Sequence, residues 1–236
     1  MSAELQPAER RSVEECMLVR KEMFAQQPER SLVLAIHGHG GDCEQLAPIC
    51  SNFEPGVSAV LPQAWRPLNI HGMAEAVHPG YSWYFSFSAD EPEPATFGDC
   101  LIELESLIYD LVSDGARERV AIVGFEQGAT LALTLAGVLP EHLSAIVAIG
   151  GCVPHIKGWS PPAQDLLGLP ILMVTDETAG AGLADLTKRS VGSLEKLGAR
   201  VHIEDRTSSS KNPLCAAALA NDWLFRTQHH RNRSST

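Results

Sequence analysis

The sequence is short of positive charge: 18 Lys and Arg stand against 29 Asp and Glu over 236 residues, a formal net charge of −11 at neutral pH. No basic stripe exists to neutralise phosphates, which argues against nucleic acid or an anionic membrane as partner. The one basic cluster, His229 to Arg233, lies in a polar tail expected to be solvated and frayed. No apolar run is long enough to span a bilayer, and residues 1–11 are polar, so neither a membrane span nor a signal peptide is expected. Six cysteines are present without a Cys-x-x-Cys pair, which in a chain of this size reads as reduced thiols of a cytoplasmic protein rather than a disulfide framework. Internal repeats are absent. So are the recognised metal-ligand spacings, such as His-Glu-x-x-His, and neither metal nor cofactor is expected.

What is present is an alternation of strand and helix signals, the pattern of a mostly parallel, doubly wound α/β sheet. Strands are expected at 16–23, 31–36, 57–61, 120–123, 143–149, 170–174 and 199–204, the first two as neighbours on an antiparallel edge. Asp42 is read as the cap of a short helix reaching Ser51, and apolar residues at Leu101, Leu104, Leu107, Ile108 and Leu111 give a helix over 100–112. Further helices are expected at 129–139, 183–197 and, opened by Asn212 and Pro213, at 214–226. Between Pro62 and Phe97 runs a long stretch rich in Pro, Gly and aromatics, and loops of that length are usually functional. The expected organisation is an N-terminal segment with an edge strand (1–30), one α/β domain (31–227) and a disordered tail (228–236).

The densest signal is Val-Ala-Ile-Val-Gly-Phe-Glu-Gln-Gly-Ala-Thr-Leu at 120–131. An apolar strand, a Gly-x-x-x-Gly turn and an apolar helix make a nucleophile elbow, a corner that holds a serine above the sheet. Here the central residue is Glu126. With Leu-Ala-Ile-His-Gly-His-Gly-Gly-Asp (34–42), Tyr-Ser-Trp-Tyr-Phe (81–85) and Ile-Gly-Gly-Cys-Val-Pro (149–154) in the same order, the chain resembles the phospholipase/carboxylesterase family of α/β-hydrolases, which includes the acyl-protein thioesterases. The resemblance covers about residues 32–224 and implies a single α/β-hydrolase domain without a separate cap. It also implies an oxyanion hole built from the main-chain N–H groups of His39 and Gln127. It does not carry over the Ser-Asp-His triad. The nucleophile position holds Glu126, the acid position falls near Ala179 with Asp176 and Glu177 close by, and Arg-Thr-Ser-Ser-Ser-Lys (206–211) stands where the histidine would be.

Two readings of Glu126 follow. Its carboxylate folds back into the oxyanion hole and plugs it, leaving a pseudoenzyme that binds a hydrophobic acyl or ester-like ligand. Alternatively it is a general acid/base of a lyase, isomerase or cyclase, with the hole holding an enolate. A hydrolase rebuilt around Glu126 and a pocket histidine is a third course. His37, expected to brace the first loop, borders the pocket with His71, His78, Trp83 and Asp176, and His155 is the first candidate for a proton partner. Of Trp83, Tyr84, Phe85 and Phe87, at least two are expected to pack as a satellite core. A small hydrophobic or acyl-type ligand is the expected partner, and a homodimer is left open.

Overall fold

The computed structural model describes residues 20–23, 31–51, 53, 57–68, 80–113, 119–163, 165–176, 181–206 and 219–224. In chain order the elements are β1 (Arg20–Met23), β2 (Ser31–Ile36), α1 (Cys43–Cys50), β3 (Val57–Pro62), β4 (Arg66–Pro67), β5 (Tyr81–Ser82) and α2 (Pro94–Ser113). They continue as β6 (Val120–Phe125), α3 (Gln127–Ala136), a 3₁₀ turn (Pro140–His142), β7 (Leu143–Ile149), β8 (Pro170–Asp176), α4 (Ala181–Lys196) and β9 (Arg200–Arg206). Residues 219–224 are helical. The expected final helix is otherwise outside the described residues, as are the N-terminal segment before Arg20 and the tail.

Seven strands form one sheet in the order β1-β3-β2-β6-β7-β8-β9, and every pair is parallel except β1 with β3. The central strands are continuous apolar runs because both faces are covered. Leu32, Leu34, Ile36, Val120, Ile122, Ile146 and Ala148 point into the larger core, beneath α2 and α3. The alternate residues Val33, Ala121, Val123, Ala145 and Val147 point to the other face, where Ala220 and Leu224 pack on them. On that face near the edge, Cys43, Leu46 and Cys50 of α1 cover Ala35, Ala59 and Leu61. The period of two along each strand therefore divides one apolar sequence between two cores.

Strand order grows outward in one direction from β2 to β3 and in the other from β6 to β9. The reversal lies between β2 and β6, and in open α/β sheets the crevice beyond the strand carboxyl ends at that point is where ligands bind. The expectation that β1 neighbours β2 is corrected. β2 already pairs β3 on one edge and β6 on the other, so β1 joins outside β3, with Arg20 opposite Pro62. α2 also begins earlier than expected, at Pro94, because the Glu93 carboxylate accepts from the N–H groups of Ala95 (3.1 Å) and Thr96 (2.8 Å) and Pro94 needs no acceptor. Asp42 caps α1 as read, accepting from the Gln45 N–H at 2.8 Å.

Packing of α3 against the sheet depends on two glycines. A Cβ on Gly128 would stand 2.3 Å from the Ile36 oxygen and 2.8 Å from that of His37, and a Cβ on Gly124 would stand 2.3 Å from the Gly128 oxygen. Backbone atoms cannot yield as a side-chain tip can, so overpacking here costs about 3 kcal/mol. Gly128→Ala is therefore expected to lower the unfolding free energy by about that amount in urea titration, whereas Gly98→Ala, inside α2 with nothing within 4 Å, is expected to raise it by up to about 1 kcal/mol.

Candidate functional site

At the carboxyl end of β6 the chain must turn from strand to helix within one residue. Glu126 makes that turn at φ 48°, ψ −108°, a left-handed conformation that costs a non-glycine residue about 1–3 kcal/mol. It is held there from both sides: the Glu126 N–H donates to the Ile149 oxygen at 2.8 Å, and its own oxygen accepts from the Thr130 N–H at 3.0 Å. The side chain is exposed. Its Oε2 lies 3.0 Å from where a Cβ on Gly38 would stand, and its Cγ 3.9 Å from the equivalent point on Gly150. The carboxylate thus rests in a slot floored by two residues without side chains. It makes no capping bond to α3, and among the described residues no donor bonds to it.

The main-chain N–H groups of His39 and Gln127 have no acceptor among the described residues. The loop that presents the first is tied to β5, with Gly40 N–H to Tyr81 oxygen and Tyr81 N–H to Gly41 oxygen, both 2.9 Å, and it is tightened by Gly41 N–H to Gly38 oxygen at 3.2 Å. His37 braces the loop from beneath. Its buried ring bonds the Gly38 oxygen through Nδ1 at 2.8 Å, while Nε2 accepts from the Ala64 N–H at 3.1 Å. A carbonyl partner on one nitrogen and an N–H partner on the other define the neutral ring, donor at Nδ1 and acceptor at Nε2. Burial accordingly pushes its pKa below the usual 6.5, against a smaller opposing pull from the Gly38 oxygen and Asp42.

Gln127 does more than supply an N–H. Its buried side chain accepts from the Trp83 N–H at 3.0 Å and donates to the Tyr84 oxygen at 2.7 Å, fastening β5 to the elbow. Ser82, which the sequence reading did not single out, joins the same network through its buried hydroxyl, 2.8 Å from the Tyr84 oxygen and 3.2 Å from Gln127 Oε1. The His39 ring is exposed, and its Nδ1 lies 3.3 Å from Ser82 Oγ. Ser82 stands in the Tyr-Ser-Trp-Tyr-Phe block, but its role comes from a contact 45 residues away that the block alone does not show.

Other candidates are placed differently. Trp83 is wholly buried against His37, with ring centroids 5.0 Å apart and its indole N–H on the His37 oxygen at 2.9 Å, so it supports the loop from the core rather than lining an open pocket. Tyr84 is buried with it, while Phe85 and Phe87 are exposed, so two of the four aromatics are core as expected. The His155 ring lines a separate cavity of about 230 Å³ with Leu133, Gly137 and Trp159. Leu133 is seven residues along from Glu126, about 10 Å of helix, and the structure does not bring His155 to the carboxylate. Asp176 ends β8 opposite Arg206; His71, His78, Glu177 and Ala179 lie outside the described residues.

Cys43, Cys50, Cys100 and Cys152 are free and buried, and burial pushes the thiols of Cys50 and Cys100 up to about 12 and that of Cys152 to about 11. The raised thiols of Cys50, Cys100 and Cys152 are not nucleophiles at neutral pH. Among the described residues, no three His, Cys, Asp or Glu side chains are grouped to hold a metal ion, and no helix is long and apolar enough to cross a membrane.

A parallel sheet with helices on both faces, a strained strand-to-helix corner at its centre and a braced donor loop beside it define an α/β-hydrolase fold. The phospholipase/carboxylesterase family profile matches residues 22–178, and the chain belongs to that family. Among solved structures it is similar to a carboxylesterase from Mesorhizobium loti (TM-score 0.72, 18% identity, covering 88% of this chain and 94% of that one). It is also similar to the Bacillus cereus carboxylesterase (0.70, 16%, 91% and 96%) and to Zea mays acyl-protein thioesterase 2 (0.63, 17%, 86% and 98%). At these identities the likeness shows the fold. In sequence it is 26% identical over 138 residues to a Nocardia uniformis subsp. tsuyamanensis protein named "Putative esterase NocK", a match spanning 57% of this chain but only 35% of that protein.

Two predictions follow from the geometry. Glu126→Gly removes the conformational strain at φ 48° and is expected to raise the unfolding free energy by about 1 kcal/mol in urea titration, whatever it does to function. The buried neutral ring of His37 binds no proton in the fold at a pH where the unfolded chain does. Stability is therefore expected to be full above about pH 6.5 and to fall as pH drops below it, and His37→Gln is expected to flatten that slope in denaturation series run at pH 7.5 and 5.5.

Proposed function

We propose that this chain has lost the Ser-Asp-His apparatus of its family and works as a non-hydrolytic acid–base enzyme on a small carbonyl compound with an acyl or other apolar body. One observation carries the reading: among the described residues, the exposed Glu126 carboxylate is bonded by no donor, and the nearby main-chain N–H groups of His39 and Gln127 have no acceptor. A residue kept only to plug the hole would accept from those donors. An exposed carboxylate near two N–H groups without an acceptor among the described residues has the parts for proton abstraction α to a carbonyl.

In that reaction the substrate oxygen accepts from the His39 and Gln127 N–H groups. Glu126 takes the α-proton, and the C–H electron pair moves into the enolate whose oxygen the two donors stabilise. Donors aimed where charge develops contribute most in such sites. A covalent ester on Glu126 has no part in this reading, because among the described residues no His nitrogen comes within 4.0 Å of its carboxylate to activate a water against it.

A second reading, a protein that binds the same carbonyl ligands without turnover, is favoured by a different observation. Among the described residues, no Lys, Arg or His nitrogen comes within 4.0 Å of the Glu126 carboxylate. The two readings separate in D₂O. Incubation with simple acyl thioesters and β-keto esters is expected to exchange the α-hydrogens, followed by NMR, with Glu126→Gln slowing exchange at least 100-fold, the usual share of a general base. Ligand-induced shifts without exchange would establish the binding protein instead. Fluorophosphonate probes are expected to leave the chain unlabelled, and covalent labelling would restore a serine-hydrolase reading.

A further inference from the structure

Ser82 has more partners than a buried hydroxyl needs. It is 1% exposed, and one bond to the Tyr84 oxygen at 2.8 Å would satisfy its proton. Yet Gln127 Oε1 lies 3.2 Å and His39 Nδ1 3.3 Å from the same Oγ. These two neighbours are the residues whose main-chain N–H groups have no acceptor among the described residues.

Proton counting decides how the three side chains join. The hydroxyl has one proton to give. Given to Gln127 Oε1, it joins the amide directly. Given to the Tyr84 oxygen, it shares an acceptor with Gln127 Nε2, which donates there at 2.7 Å. The Trp83 N–H donates to Gln127 Oε1 at 3.0 Å and orients the amide in either case. Ser82 Oγ is then left to accept, and the His39 ring is the donor through Nδ1. The main chain adds to this link: Tyr81 accepts from the Gly40 N–H and donates to the Gly41 oxygen, both at 2.9 Å. β5 is therefore bonded to the His39 loop through Tyr81 and to the Gln127 amide through Ser82 and the two residues after it.

Such a tie matters because of where the sheet stops. His39 follows β2 and Gln127 follows β6, and the ladder between these strands ends at the pair Ile36 and Gly124. Beyond that pair, the loop and the elbow are separate segments. We infer that Ser82 is a positioning residue: its hydroxyl ties the side chains of His39 and Gln127 into one bonded unit and so holds their main-chain N–H groups in a fixed relative placement. The use made of those donors rests on the function proposed above. Donors stabilise developing charge only if they are aimed before it appears.

The test reads the full chain by NMR, with nitrogen-15 in the imidazole and amide groups and the His39 ring assigned by its loss in His39→Ala. With the ring neutral, wild type is expected to carry the His39 proton on Nδ1, and Ser82→Ala to show the mixed tautomers of a free ring. His39→Ala is expected to shift the side-chain amide signal of Gln127, and to leave it in place when Ser82 is already alanine. A wild-type ring protonated on Nε2 would overturn the inference whether or not Ser82→Ala folds. So would a Gln127 signal that answers His39→Ala equally in both backgrounds. In D₂O, Ser82→Ala is expected to lower kcat for α-exchange of a simple acyl thioester about tenfold with KM within about threefold of wild type. An unchanged kcat in a variant shown to be folded by circular dichroism would overturn the positioning role. Absence of exchange in the wild type would overturn the function proposed above, while the bonded unit would still stand or fall on the ring proton and amide signals, which need no substrate.

Discussion

The contact on which the rest depends is backbone to backbone: Gly128, in the first turn of α3, lies against the carbonyls of Ile36 and His37 at the end of β2. With Gly124 packed on Gly128 in turn, the elbow helix is drawn down onto the sheet, and the chain has a single residue in which to change direction. The conformation of the corner follows from that shortage of space. Glu126 is forced to positive φ, and its side chain is left exposed at the carboxyl end of β6. None of these consequences depends on what the central side chain is. That is why the frame persists with a glutamate where a serine would be expected.

Around this corner the polar groups fall into two sets with opposite assignments. His37, Gln127 and Ser82 are buried, multiply bonded and committed to holding loops together; removing any of them strands a partner with no water to replace it. Glu126 and His39 are exposed and sparsely bonded. A rigid, satisfied inner layer carrying an unsatisfied outer one is how a fold presents reactive groups without losing stability. The Glu126 carboxylate tells the same story in small. The His39 and Gln127 N–H groups have no acceptor among the described residues, and the carboxylate lies instead against Gly38, a position with no side chain to displace it.

Much of this was legible in the linear sequence, for identifiable reasons. Strands β2, β6 and β7 are buried on both faces, so they are written as unbroken apolar runs, and 143–149 was read to the residue. The elbow was legible because only glycine fits at 124 and 128, and the cap at Asp42 because a short acceptor side chain at a helix start has few other uses. The neighbour of β1 was misjudged, since adjacency in the chain says nothing about which sheet edge is already filled. His155 was considered for the site because it follows β7, but the turn after Gly151 carries it down the side of α3 to another cavity. The roles of Ser82 and the Gln127 side chain went unnoticed, because the bonds that tie Ser82 and Trp83 to Gln127 span more than 40 residues.

By itself, then, the sequence determined the layered α/β architecture, the glycine-built corner and the presence of a carboxylate at its tip. Those properties reside in local volume, period and backbone freedom, which residues carry wherever they are placed. Only the tertiary structure decided that the Glu126 carboxylate is exposed and bonded by no donor among the described residues, and that His155 lies at a cavity beside α3. Such questions turn on which loops meet above the sheet, and on distances of a few ångströms between groups that share no sequence neighbourhood. Hydrogen-bond satisfaction is a property of the assembled surface, and no segment possesses it alone.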